Sequence, residues 1–201
     1  MFDEIAENRI LVITGNDKIS YKLISSLRLE NPQISIVIDK SLTLLRVLKL
    51  FFKKNSGLTL PFLYQSLVAE LKRKKYSIPK TTSFQNKDQL STILSHKNPD
   101  MIIVFRGTFI FPKDIINNYK LINVHCADIT NNSYRGLGAV YRSFICREQK
   151  PRVTVHEIET KIDSGKVLFT KDYKFNFDLP YSLNENIAYE TGIQCISKIV
   201  N

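Results

Sequence analysis

From Arg9 to Thr14 the chain reads RILVIT, an almost unbroken apolar run that stops at Gly15. A run so short and so apolar suits a strand covered on both faces, as strands are in parallel sheets. Apolar residues then return at helical spacing within Asp17–Leu29, at Ile19, Leu23, Ile24 and Leu27, until Asn31-Pro32 halts them. Gln33–Asp39 (QISIVID) is a second strand. Strand, helix and strand in that order require a parallel pair joined by a right-handed crossover. The chain is thereby committed to an α/β architecture, a mostly parallel sheet flanked by helices. Met101–Phe105, Leu121–His125, Arg152–Ile158 and Lys166–Phe175 read as further strands, and Gln89–His96, Asp114–Tyr119 and Ser182–Ile199 as helices.

Nothing marks a boundary between two domains. At 201 residues, 43% apolar and 24% charged, the sequence reads as a single domain, 1–201, able to bury a full core. Cys126, Cys146 and Cys195 form no CxxC pair and no ligand cluster, so no metal site is expected and reduced thiols fit a cytoplasmic setting. The N-terminal MFDEIAENRILVITG begins acidic, unlike a signal peptide. No apolar stretch approaches the roughly 20 residues of a membrane span.

Charge is concentrated in one place. Lys40 to Lys80 holds ten Lys and Arg against Glu70 alone, a net of +9; the other residues hold 19 bases and 18 acids, a net of +1, making +10 in all. This basic segment, 40–80, contains two apolar-rich helical stretches, Leu42–Lys54 and Pro61–Lys75, separated by Asn55-Ser56-Gly57. It reads as a helical insertion within the domain. Its charge suits an anionic substrate, an acidic membrane surface met by 42–54, or packing against a second copy in a homodimer. A solvated helix end explains the lysines equally well. A non-catalytic module binding RNA or an acidic membrane surface is the competing reading of the whole chain, with nucleic acid the less expected partner.

The turn after the first strand, Thr14-Gly15-Asn16-Asp17, lacks the G-x-G-x-x-G of dinucleotide folds. The helix start behind Gly15 and Asn16 remains able to receive a phosphate. Asp39 is either a ribose grip or simply a polar strand end.

The polar chemistry lies between Pro99 and Lys174. Asn123 and His125 alternate onto one side of a strand end, an amide donor beside an imidazole. Further along, Lys161-Ile162-Asp163-Ser164-Gly165 offers a carboxylate in a turn between two strands. The stretch also carries Tyr134-Arg135-Gly136 and Val153-Thr154-Val155-His156. In this order, over about 75 residues (99–173), these elements resemble the core of the formyltransferases that use 10-formyltetrahydrofolate. That family includes the sugar, glycinamide ribonucleotide and methionyl-tRNA formyltransferases.

The resemblance implies a Rossmann-like formyltransferase fold and Asn123, His125 and Asp163 as catalytic residues, with no metal. Attack of an amine on a formyl group creates an oxyanion that Asn123 and a protonated His125 are suited to stabilise, and Asp163 would orient the imidazole and help take the amine proton. By the same resemblance, Gly107, Thr108, Phe109 and Ile110, with Ile158, Glu159 and Thr160, would grip the folate, although Phe109 and Ile110 suit core packing equally. Gly15, Asn16, Arg135 and Gly136 would meet the acceptor. Cys126 has no role in direct transfer.

The sequence departs from the family pattern in CADITNNS (126–133), in Arg152 where a Gly is usual, and in a phosphate-loop signature reduced to Gly15-Asn16-Asp17. The further domains of methionyl-tRNA formyltransferases and deformylases are also missing from the pattern. The expected acceptor is therefore a primary amine on a nucleotide-linked amino sugar, as in polysaccharide biosynthesis, with phosphoribosylglycinamide as the alternative.

Overall fold

The computed structural model describes residues 9–41 and 81–201. The basic stretches Leu42–Lys54 and Pro61–Lys75, and with them the expected membrane contact through 42–54, lie outside the described residues. Among those residues, the strands are β1 (Ile10–Thr14), β2 (Ser35–Asp39), β3 (Thr82–Phe84), β4 (Met101–Phe105), β5 (Leu121–His125), β6 (Arg152–Glu157) and β7 (Val167–Asp172). The helices are α1 (Lys18–Glu30), α2 (Lys87–Lys97), α3 (Lys113–Asn118), α4 (Ala139–Ile145) and α5 (Tyr181–Val200).

The strands form one sheet in the order β3-β2-β1-β4-β5-β6-β7. The first five run parallel, while β6 and β7 are antiparallel additions at one edge. The α/β expectation holds, and each strand and helix anticipated within the described residues is present with shifts of a few residues at its ends. Besides a single 3-10 turn at Asn132–Tyr134, two short elements were not anticipated. β3 is only three residues, two of them polar, and α4 is seven residues inside a loop. Neither is long enough to show a period.

Alternation sorts the core into two layers. Val12, Ile103, Phe105, Ile122, Val124, Val153 and Val155 face α1 and α5 through Leu23, Leu27, Ala188 and Ile196. Leu11, Ile13, Val37, Ile102, Val104 and Leu121 face α2 and α3 through Leu90, Leu94 and Ile115. Each fully buried Leu, Ile or Phe here contributes on the order of 1.5–3 kcal/mol of apolar transfer. On α5, Gly192 lets the helix lie close to the sheet, since a Cβ there would come within 2.7 Å of the Phe105 ring and 2.9 Å of Cys126 Sγ.

Candidate active site

The face of β5 that carries Leu121 toward α2 and α3 also carries Asn123 and His125. In the antiparallel ladder Asn123 stands opposite His156 of β6, and His125 opposite Thr154. A register irregularity in the β6–β7 ladder falls between Val155 and His156, the kind of local bend that re-aims a side chain beside a site. The loop after β6 supplies Asp163. Its return is tight, because a Cβ on Gly165 would lie 1.9 Å from the Glu157 carbonyl oxygen. Only glycine fits there. Asp163 itself is held at φ 46°, in the left-handed region that non-glycine residues seldom occupy.

These constraints bring the three catalytic residues expected from sequence into one hydrogen-bonded cluster, with His156 as a fourth member. The Asn123 amide donates to Asp163 Oδ1 at 3.1 Å and to His156 Nε2 at 3.2 Å. His156 Nδ1–H donates to the Glu157 carbonyl at 2.7 Å, which leaves its Nε2 as the acceptor that Asn123 needs. His125 Nε2–H donates to the Tyr134 carbonyl at 2.7 Å, and its Nδ1 lies 3.4 Å from Asp163 Oδ2. Asp163 Oδ2 also accepts the Gly136 N–H at 2.7 Å. Gly136 sits at φ 74°, so its amide is aimed by a backbone turn suited to glycine.

Electrostatics separates the two acid–base groups. Burial opposes the charge on Asp163, but His156, His125 and the Gly136 N–H together hold its pKa well below the usual carboxylate range. Burial pushes His125 below its ordinary value, against the pull of Asp163 and the Tyr134 carbonyl. Burial thus favours the neutral imidazole, where the protonated form is the expectation from sequence. The neutral ring carries its proton on Nε2 and a lone pair on Nδ1, and a proton gained at Nδ1 would face Asp163.

The loop that carries Tyr134 and Gly136 is tied down from α4. Arg142 donates to the carbonyls of Ser133, Leu137 and Arg135, each at 2.6 Å. Tyr134 is buried with Ala127 and Ala139 in a small cluster of its own. The divergent segment 126–133 is fixed as well. Thr154 Oγ1 donates to the Ala127 carbonyl at 2.9 Å, and Arg135 Nε to the Ile129 carbonyl at 2.8 Å. The unusual Arg152 lies 3.5 Å from both Asp128 and Asp172.

The residues expected to hold the folate flank this cluster. Phe109 and Ile158 pack against the same core layer as Leu121, so both loops lie on the site's face of the sheet. Phe109 meets the rings of Phe84 and Phe111 edge-on at 5.3 Å and is partly buried against the core. Ile110 is 55% exposed. A Cβ on Gly107 would fall 2.6 Å from Val104 Cγ1, so the backbone runs close to β4 there. Asp39 is resolved as a structural acid. Its Oδ2 accepts the N–H groups of Thr108 and Phe109 at 2.6 and 2.9 Å, and its Oδ1 accepts that of Ser41 at 2.8 Å. Those two loop amides therefore serve Asp39.

Gly15 and Asn16 lie beyond β1, where Asp17 caps α1. The helix start read from sequence as able to receive a phosphate is therefore capped by a side chain of the protein. Cys126 is buried, and burial raises its thiol far above the ordinary value. A buried, protonated thiol is a poor nucleophile. Among the described residues no group of His, Cys, Asp and Glu is arranged to hold a metal ion, and no helix is long and apolar enough to cross a membrane.

A mostly parallel sheet with Asn, His and Asp converging at the end of β5 is the arrangement implied by the formyltransferase resemblance. No family model matches the chain. Methionyl-tRNA formyltransferase of Rickettsia rickettsii (strain Iowa) is 28% identical over 129 residues, covering 60% of this chain and 41% of the relative. The same enzyme of Sulfurihydrogenibium sp. (strain YO3AOP1) is 28% identical over 132 residues, 63% of this chain and 42% of the relative. The chain thus spans about two fifths of the length of these curated relatives. A solved phosphoribosylglycinamide formyltransferase from Anaplasma phagocytophilum superposes with a TM-score of 0.65 at 15% identity, covering 96% of this chain and 84% of its own. A sugar N-formyltransferase from Shewanella sp. FDAARGOS_354 gives 0.61 at 18% identity, covering 94% and 67%. The chain is therefore similar to formyltransferases in sequence, and its fold is the formyltransferase fold.

Proposed function

We propose that this protein is an N-formyltransferase that moves the formyl group of 10-formyltetrahydrofolate to a primary amine, the amine being carried on a nucleotide-linked amino sugar. The observation that carries the reading is the convergence of Asn123, His125, His156 and Asp163 in one hydrogen-bonded cluster. In the proposed reaction the amine nitrogen attacks the formyl carbon and the carbonyl oxygen becomes an oxyanion. Both N–H groups of Asn123 are engaged within the cluster. The developing oxyanion is the stronger acceptor and takes one of them from His156, a neutral partner. Neutral His125 accepts the amine proton at Nδ1, where Asp163 stabilises the imidazolium formed. The tetrahedral centre then collapses, its bond to the folate nitrogen breaks as that nitrogen takes the proton held at His125 Nδ1, and the formamide leaves.

The donor reading is supported by the same face of the sheet, where Phe109 and Ile158 of the two loops expected to grip the folate pack against the core layer of Leu121. The test supplies 10-formyltetrahydrofolate with a panel of amines that includes nucleotide-linked and free amino sugars. Formylation of the nucleotide-linked sugar is expected, with Asn123→Ala slower by about 10²–10³-fold. A folded protein that binds folate yet formylates none of the amines would remove the proposal.

A further inference from the structure

The sheet order turns between β1 and β4: β2 lies on one side of β1 and β4 on the other. Open parallel sheets take ligands in the crevice at such a point, and the helix start behind the first strand is well placed for an anion. In this protein the place is filled from within. Asp17 Oδ1 accepts the Ser20 N–H at 2.9 Å and the Ser20 hydroxyl at 3.0 Å. Its Oδ2 accepts Arg106 Nε at 2.8 Å and also Arg106 Nη2. The Ser20 hydroxyl in turn accepts the Thr14 hydroxyl at 3.0 Å. The two charged side chains are only 22% and 15% exposed.

A second observation shows that Arg106 is held in this position. It follows β4 directly at φ 59°, a left-handed conformation for a non-glycine residue, and its guanidinium lies 4.0 Å above the Tyr189 ring. Gly15 is close against it, since a Cβ there would come 3.1 Å from the Arg106 carbonyl oxygen. The cation at this crevice is therefore already bound by two donors to one carboxylate. An incoming phosphate would meet the Asp17 charge and would have to break a largely covered pair.

We infer that Asp17 is a resident anion standing where a phosphate would otherwise bind, and that the Asp17–Arg106 pair is a specificity determinant against acceptors that place a phosphate at the start of α1. This deepens the proposed formyl transfer and rests on it for the identity of the acceptor. The phosphates of a nucleotide-linked sugar then have to lie away from α1. Amine acceptors with a terminal phosphate directed at this crevice are refused.

The test titrates inorganic phosphate into the full chain, with sulfate in parallel, and follows the amide resonances of Lys18, Ile19 and Ser20. The wild-type protein should show no saturable shift at these amides. Asp17→Asn and Asp17→Ser both keep a good helix cap, and each should bind phosphate about tenfold more tightly or better as Arg106 is released. Adding Arg106→Met to either variant should remove the gain. A saturable wild-type shift overturns the inference without recourse to any variant. So does the lack of a gain in folded Asp17→Asn and Asp17→Ser. The titration contains neither folate nor amine, so its failure and a failure of formyl transfer are read separately.

Discussion

At the scale of single residues, Asp163 couples the site to folding. Neutral donors, the Gly136 N–H and the Asn123 amide, bond its carboxylate whatever the state of the histidines. Because its folded pKa lies below the ordinary value, the stabilisation is present above about pH 4 and is lost as pH falls through the folded pKa. Thermal melts of wild type and Asp163→Asn should therefore differ above about pH 4 and converge as pH falls further toward the folded pKa. A gap that keeps widening below about pH 4 would place the charge elsewhere. Asn123 and His125 were legible because period-two alternation puts them side by side whatever the rest of the fold. His156 was not assigned to the site from sequence. Its place opposite Asn123 depends on an antiparallel register that no local pattern encodes. Arg142 was hidden for a similar reason, since its partners are three carbonyls and carbonyls carry no sequence signal.

At the scale of elements, two devices aim the cluster, and each makes a separate prediction. Gly165 lets the loop after β6 fold back onto Glu157. Gly165→Ala should cost about 1–3 kcal/mol of stability through backbone overcrowding, read from denaturant unfolding. It should reduce activity further by displacing Asp163. Arg142 sits on α4 and holds the loop that presents the Tyr134 carbonyl and the Gly136 N–H. Arg142→Met should leave far-UV circular dichroism intact and lower kcat by about 10–100-fold, the effect of misplacing groups by an ångström or so. An Arg142→Met enzyme with unchanged kcat and raised KM would instead make the arginine a substrate contact. The opening strand–helix–strand unit was legible because its strands are apolar on both faces and its helix is bounded by Asn31-Pro32. β3 and α4 were not, because three and seven residues are too few for a period to emerge.

At the scale of the whole molecule, the charge that dominates the composition and the chemistry of the site occupy different parts of the chain. Among the described residues, a parallel sheet with two antiparallel strands at one edge explains why the polar groups gather at β5. That strand is where the two modes of pairing meet. The junction also separates pairings that differ greatly in span. The β1–β4 ladder joins residues about 90 positions apart, Leu11 with Ile102, whereas β6 meets β7 across a short loop, with His156 opposite Val167. Closing a long loop costs more entropy and is slower than pairing neighbours. Pulse-labelled hydrogen exchange during refolding should therefore protect the β6–β7 amides before those of β1 and β4. The turn holding Asp163 would then take shape ahead of the crevice held by Asp17 and Arg106, so the carboxylate proposed for proton transfer would be in place before the ion pair proposed to screen the acceptor.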